Sequence, residues 1–242
     1  MAAQARPAYR LYRSFWASLD LLFPPTCGGC AQPGGRWCAN CQAETQLLSP
    51  PWCERCGDDL PQPGVCKHCQ SRPPHFAAIR SWAVFSGPVR QAIHKLKYKR
   101  DVSLGIVLAE PLVGLFTQLG WDCDLILAVP LGLARLKERG YNQSDLLARP
   151  LALAVGIPYQ SNGLIRVRET RSQVGLTITQ RHVNVNGAFQ ALPEIVSGRR
   201  VLVIDDVATS SATLEACAIA LMEASSSKVF ALTLARAGYN VY

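Results

Sequence analysis

Residues 201–214 read VLVIDDVATSSATL, and this stretch decides the fold. Val201, Leu202, Val203 and Ile204 form an unbroken apolar run, the pattern of a strand buried on both faces. Asp205 and Asp206 follow at its carboxyl end. Val207 and Ala208 lead into a turn of small residues, Thr209, Ser210, Ser211, Ala212 and Thr213, and Leu214 to Met222 reads as a helix. Such a strand, turn and helix leave free N–H groups and the positive end of a helix dipole facing the turn, which makes an anion site. The hydroxyls add donors for phosphate oxygens. The acidic pair suits ribose hydroxyls, or a magnesium ion carried by a phosphate ligand. A sugar phosphate fits this layout better than a bare phosphate.

Outward from this stretch, residues 75–242 alternate strand and helix patterns. Strands are expected at Ile79–Phe85, Leu125–Val129, Leu164–Val167, Val201–Ile204 and Val229–Leu234. Helices are expected at Val89–Tyr98, Leu104–Leu119 and Asp145–Val155, with Pro111 and Pro150 as possible breaks. Continuous apolar strands between helices predict an α/β fold with a parallel sheet covered on both faces. Ligands of such sheets bind beyond the carboxyl ends of the strands. The segment after Leu125–Val129 is PLGLARLKERGYNQ, residues 130–143, read as a loop. It carries Arg135, Lys137 and Arg139, with Gly140 for backbone freedom and Asn142 and Gln143 as amide donors. Cations there suit pyrophosphate. A further polar cluster over 166–189 contains Arg168, Thr170, Gln173, Arg181 and Asn184, either a flap over the site or a solvated mobile loop.

Eight of the ten cysteines form Cys-x-x-Cys pairs: Cys27/Cys30, Cys38/Cys41, Cys53/Cys56 and Cys66/Cys69. Each pair places two thiolates on one face of a tetrahedral zinc ion, and a second pair closes the site. Two closed structural zinc sites, each of four cysteines, are expected. They are paired in chain order or cross-braced, and spacing does not separate these arrangements. The segment has little else to build a core, so zinc is expected to fold it. Cys123 and Cys217 stand among apolar residues and read as small buried hydrophobes.

The formal charge is +8; eight thiolates around two divalent ions lower it by four, to +4. Basic residues cluster in RQAIHKLKYKR, residues 90–100. Lys95, Lys97, Lys99 and Arg100 could track a phosphate backbone, with Tyr98 free to stack on a base. Ile93 and Leu96 on one helical face give the alternative, a solvated amphipathic helix. Three parts are expected: an N-terminal amphipathic helix at 1–22, a double zinc ribbon at 23–72 and the α/β domain at 73–242. The helix is expected to pack on the protein through Leu11, Phe15, Trp16, Leu19 and Leu22. No stretch is apolar enough for membrane insertion and no signal peptide is apparent, so a cytoplasmic location is expected.

The 201–213 segment resembles the phosphoribosyl-pyrophosphate (PRPP) loop of type I phosphoribosyltransferases, with Ser211 where that family usually has Gly. Serine keeps a hydroxyl for phosphate but adds a Cβ where the backbone needs freedom, which counts against efficient catalysis. The order of features resembles the ComF family of competence and DNA-utilisation proteins. The features are the Cys-x-x-Cys array, Ile-His-Lys-Leu-Lys-Tyr at 93–98, Val-Pro-Leu followed by Arg135 and Arg139 to Gln143, Arg168-x-Thr170-x-x-Gln173 with Leu176, Arg181 and Asn184, and the 201–213 loop.

The resemblance implies a zinc ribbon fused to a type I phosphoribosyltransferase-like domain, with single-stranded DNA and PRPP or a related sugar phosphate as ligands. Magnesium would accompany PRPP, and a DNA-uptake helicase or other competence proteins would be partners. On the family pattern Asp205 and Asp206 hold the ribose hydroxyls, 207–213 the 5′-phosphate, and Arg135, Arg139, Gly140, Asn142 and Gln143 the pyrophosphate side. Two other readings stand beside a DNA-handling protein: an active transferase with an unknown acceptor, and a zinc scaffold without chemistry.

Overall fold

The computed structural model describes residues 6–170 and 177–238. In chain order the elements are α1 (Pro7–Leu22), α2 (Ala39–Ala43), α3 (Lys67–Ser71), β1 (Ala78–Val84), α4 (Gly87–Tyr98), α5 (Leu104–Leu119), β2 (Leu125–Ala128), α6 (Leu133–Arg139) and α7 (Gln143–Val155). They continue with β3 (Leu164–Arg166), α8 (Ile178–Val185), β4 (Phe189–Ala191), α9 (Pro193–Val196), β5 (Arg200–Ala208), α10 (Ala212–Glu223) and β6 (Lys228–Arg236). Four strands make a sheet in the order β1-β6-β5-β2, with every pairing parallel.

Alternation along β5 divides the core into two layers. Val201 and Val203 join one layer with α10 (Leu214, Cys217, Ala218, Leu221) and the β3–β4 pair. Leu202 and Ile204 join the other, with α4, α5 and α7 (Ile93, Leu96, Leu108, Leu112, Leu147, Leu151). Successive strand side chains point to opposite faces, so an unbroken apolar run is what a sheet covered on both sides requires. Each fully buried Val, Leu or Ile contributes about 1.5–3 kcal/mol of transfer free energy. The expected α/β architecture with a cysteine-rich region ahead of it is what the protein adopts.

That region wraps the β1 edge. Leu48 N–H donates to Trp82 O and Val84 N–H to Gln46 O, so residues 46–48 cover part of the edge. Ile79 N–H donates to Arg55 O at 2.7 Å. A Cβ on Gly57 (φ +75°) would stand 2.6 Å from Ile79 O, so only glycine permits this approach. Two buried arginines complete the junction. Arg80 donates to the carbonyls of Cys53 and Glu54, and Arg236 donates to Cys56 O at 2.9 Å and pairs with Asp58.

Four expectations need correction. Residues 133–139, read as a loop, form α6: LARLKER is a run of strong helix formers closed by Gly140 in the left-handed conformation. The strand expected to end at Ile204 continues to Ala208, because β6 pairs with it beyond the acidic residues (Asp205 opposite Thr233, Val207 opposite Ala235). The strand at 164–166 lies outside the parallel sheet and pairs antiparallel with β4. Helix α1 forms and packs along α7, yet of its expected apolar face Leu11, Phe15 and Leu22 are exposed. Its anchors are instead Tyr9, which is buried, and Asp20, which pairs with Arg36. Pro111 and Pro150 both lie inside continuous helices.

Candidate functional site

Beyond the carboxyl ends of β2 and β5 lies a cleft of about 530 Å³. β5 carries Asp205 and Asp206 to its floor, and residues 209–211 close one wall and lead into α10. Ser211 sits at the N-cap of α10 with φ +59°, the left-handed conformation that glycine adopts without cost. Its Oγ and that of Ser210 are buried and without a hydrogen-bond partner. Two orphaned hydroxyls at the head of a twelve-residue helix are donors awaiting an acceptor, since buried polar groups are otherwise satisfied.

The acidic pair is held from the α4 and α7 side. Ser144 Oγ donates to Asp205 Oδ1 at 2.9 Å, and Gln143 Nε2 to Asp206 Oδ1 at 3.0 Å. Lys97 Nζ forms an ion pair with Asp206, which is 3% exposed. Arg139 in turn donates to Gln143 Oε1, giving a connected chain Arg139–Gln143–Asp206–Lys97. Burial, then the neighbouring Asp206 charge, push the Asp205 carboxyl up to about 7; Lys97 and the Ser144 hydroxyl oppose this.

Arg135, Arg139 and Arg166 line the same cleft as the acidic pair. Arg135 makes no hydrogen bond or ion pair among the described residues, and its charge, like burial, disfavours the charged form of Arg166. Glu169, whose carboxylate accepts from Ala134 N–H at 3.2 Å, offsets part of this charge at Arg166, and the remaining cations of the cleft favour an anionic ligand. Gly140 (φ +85°) ends α6, and Asn142 caps α7, accepting from Ser144 N–H at 3.1 Å and donating to Val129 O at 3.0 Å. These two shape the loop and lie off the cleft lining.

The basic 95–100 stretch divides. Lys97, Tyr98 and Arg100 line the same cleft, with Arg139 stacked over the Tyr98 ring at 5.5 Å. Lys95 instead donates to Cys27 O at 2.7 Å, and Lys99 is exposed away from the lining. Of the expected flap, Thr170 and Arg181 line the cleft. Arg168 points to the carbonyls of Asn184 and Asn186 at 3.1 and 2.6 Å, and Gln173 and Leu176 lie outside the described residues. The fold adds Ser144 and Arg166. Arg166 opens the 166–189 run singled out from sequence and Ser144 falls one residue beyond the 130–143 run; nothing in their spacing marks them until α7 and β3 are placed.

The eight paired cysteines form two tetrads in chain order, Cys27/Cys30/Cys38/Cys41 and Cys53/Cys56/Cys66/Cys69, whose sulfurs lie within 4.8 Å of one another. This decides against cross-bracing. The Cys30–Cys38 and Cys56–Cys66 sulfurs are 3.7 Å apart, close to the edge of about 3.8 Å of a tetrahedron with zinc–sulfur bonds near 2.3 Å. The two ribbons repeat one design: Cys38 and Cys66 each cap a short helix, and their N–H groups donate to Cys27 and Cys53 sulfur at 3.4 and 3.3 Å. Burial raises the Cys27 and Cys53 thiols, but backbone N–H donors outweigh it and leave them at about 6 and about 7. Burial raises the Cys41, Cys56 and Cys69 thiols, so each tetrad holds one ready thiolate; the four-sulfur geometry with no open position is what fits two structural zinc ions.

A DNA utilization protein, YhgH of Salmonella typhimurium, is 32% identical over 206 residues, covering 80% of this chain and 89% of its own. The chain belongs to the ComF family. A second relative of this ComF-family chain is Competence protein F of Haemophilus influenzae, 30% identical over 185 residues and covering 73% and 80% of the two chains. Residues 18–70 match the double zinc ribbon domain. Among solved structures, the ComF-family chain is similar to the glutamine PRPP amidotransferase of B. subtilis complexed with ADP and GMP. The identity is 22% and the TM-score 0.36, over 59% of this chain and 27% of that one. No helix among the described residues is long and apolar enough to cross a membrane.

Proposed function

We propose that this ComF-family chain works in DNA uptake or utilisation, and that its cleft binds single-stranded DNA and PRPP or a related sugar phosphate. The observation that carries the reading is the pair of orphaned hydroxyls on Ser210 and Ser211 at the head of α10, in the loop that follows the acidic pair, with Ser211 and Arg135 lining one cleft. Backbone N–H groups and hydroxyls from Thr209 to Thr213 hold the 5′-phosphate. Asp205 and Asp206 take the ribose hydroxyls, and any magnesium that accompanies the ligand meets this pair. Arg135 and Arg139 receive the pyrophosphate end, with Arg168, Thr170, Gln173 and Arg181 as the covering segment. Lys97 holds the Asp206 charge until the ligand arrives. Tyr98, Lys97 and Arg100 serve the nucleic acid in the same cleft, while residues 23–72 brace it through two zinc ions.

Titration calorimetry of the zinc-loaded protein with Mg–PRPP tests this. Micromolar binding that disappears in Asp205→Asn/Asp206→Asn is the expected result; unchanged affinity in that variant rejects the assignment. A second reading is transfer of ribose 5-phosphate from PRPP to an acceptor, with the C1′–pyrophosphate bond breaking, a C1′–acceptor bond forming and pyrophosphate leaving. One feature favours it: Ser211 holds the left-handed backbone that a glycine would supply, so the loop path survives the substitution. Pyrophosphate release on screening nucleobases with Mg–PRPP would establish it.

A further inference from the structure

A second cavity, about 1220 Å³, lies on the other side of the phosphate loop, between the second ribbon, the Pro73-Pro74 linker and α10. Thr209, Ser211 and Arg181 line both cavities, so the loop is a wall they share. Ser210 Oγ and Ser211 Oγ, the latter on a residue 8% exposed, are unpartnered in that wall. Pro74, Ile219 and Arg72 line the second cavity, together with Asp58, which pairs with Arg236, and Asp59. His75 stands in its side, fixed by Glu215 with the ring Nδ1 2.6 Å from the carboxylate. The Arg72 guanidinium makes no hydrogen bond or ion pair among the described residues. Apolar side chains, a fixed imidazole plane and an uncommitted guanidinium suit a nucleobase and its phosphate.

We propose that single-stranded DNA crosses the phosphate loop. The 5′-phosphate of the 3′-terminal nucleotide is held at residues 209–213, that nucleoside lies in the acidic cleft, and the preceding nucleoside lies in the second cavity, its base on Pro74 and Ile219 and its own 5′-phosphate at Arg72. This rests on the reading that the loop binds a sugar phosphate, and it adds that free PRPP and DNA compete for one phosphate position. The acidic pair lies on one side of the loop only, so the strand enters by its 3′ end: the free 3′-hydroxyl of the terminal deoxyribose donates to the Asp205–Asp206 pair, and the chain continues past the loop into the second cavity.

The zinc-loaded full chain is titrated into a fluorescein-labelled oligothymidylate by fluorescence anisotropy, and separately with Mg–PRPP by calorimetry. Ile219→Trp narrows the second cavity from the α10 side. It is expected to weaken oligonucleotide binding by about tenfold or more and to leave the PRPP affinity unchanged. Arg72→Glu is expected to weaken the oligonucleotide and lower its salt slope by about 0.7, again sparing PRPP. Saturating Mg–PRPP is expected to displace the oligonucleotide from the wild type. Oligonucleotide affinity unmoved by both variants, or absent in the wild type, overturns the proposal. If Ile219→Trp loses both ligands, Arg72→Glu decides. If PRPP does not bind but the oligonucleotide is sensitive to both variants, the PRPP reading fails and the DNA path stands.

Discussion

Ser211 is the residue on which the phosphate loop turns. A non-glycine residue in the left-handed region costs about 1–2 kcal/mol, and Ser211 takes that conformation at φ +59°. Ser211→Gly is expected to stabilise the protein by about 0.5–1 kcal/mol after glycine's own entropy cost, read by urea unfolding, while weakening phosphate binding through the lost hydroxyl. Asp205 sets a pH dependence. Burial and Asp206 raise its carboxyl to about 7, against about 3.9 in the unfolded chain. The folded state therefore holds this proton more tightly. The resulting stability is present below pH 4 and lost as pH rises through 7. Asp205→Asn is expected to gain stability over the wild type between pH 5.5 and 7.5, and comparing the two unfolding curves at each pH cancels the shared loss of zinc in acid. A difference that stays flat across that window rejects a raised carboxyl.

At the scale of elements, α7 connects the acidic pair to the sheet. Its cap Asn142 accepts from Ser144 N–H and donates to Val129 at the end of β2. Asn142→Ala is expected to cost about 1–2 kcal/mol of stability and to reduce Mg–PRPP affinity, because Gln143 and Ser144 lose their fixed approach to Asp206 and Asp205. Thermal unfolding and calorimetry on the same sample check both. The strands of the parallel sheet were legible because burial on both faces leaves an unbroken apolar run, as in Leu125–Ala128 and Val201–Ile204. The paired cysteines were legible from spacing. Strand 164–166 misled, since three apolar-flanked residues carry no information about which sheet they join. Lys97 misled as well. Its charge was visible, but the ion pair with Asp206 depends on α4 crossing the end of β5, a placement no local pattern contains. The α6 helix was readable from LARLKER and its closing glycine, yet the functional cations drew attention away from the helix formers around them.

Across the whole molecule, the second ribbon is part of the main core. Cys53, Cys56 and Cys69 pack in the same layer as Ile79 and Val203, and Arg80 and Arg236 reach its carbonyls. Zinc removal is therefore expected to destabilise the α/β domain and not the ribbon alone. Hydrogen exchange with a chelator present should show Ala78–Val84 amides losing protection before those of Leu125–Ala128; equal loss in both strands would mean the ribbon does not brace the β1 edge.

The strand order β1-β6-β5-β2 carries one more consequence. The chain's last described strand lies in the interior of the sheet, between its first strand and β5. During synthesis the ribbon and β1 emerge early and have no sheet neighbour until Lys228–Arg236 has been made. Until then the sheet is in two parts, the ribbon with β1 on one side and β2 with β5 on the other, linked only through the layer of α4, α5 and α7. Closure joins segments far apart in sequence, which is slow and leaves strand edges open in the interval. A nascent chain stopped short of Lys228 keeps a gap one strand wide in its sheet, bridged by helices alone.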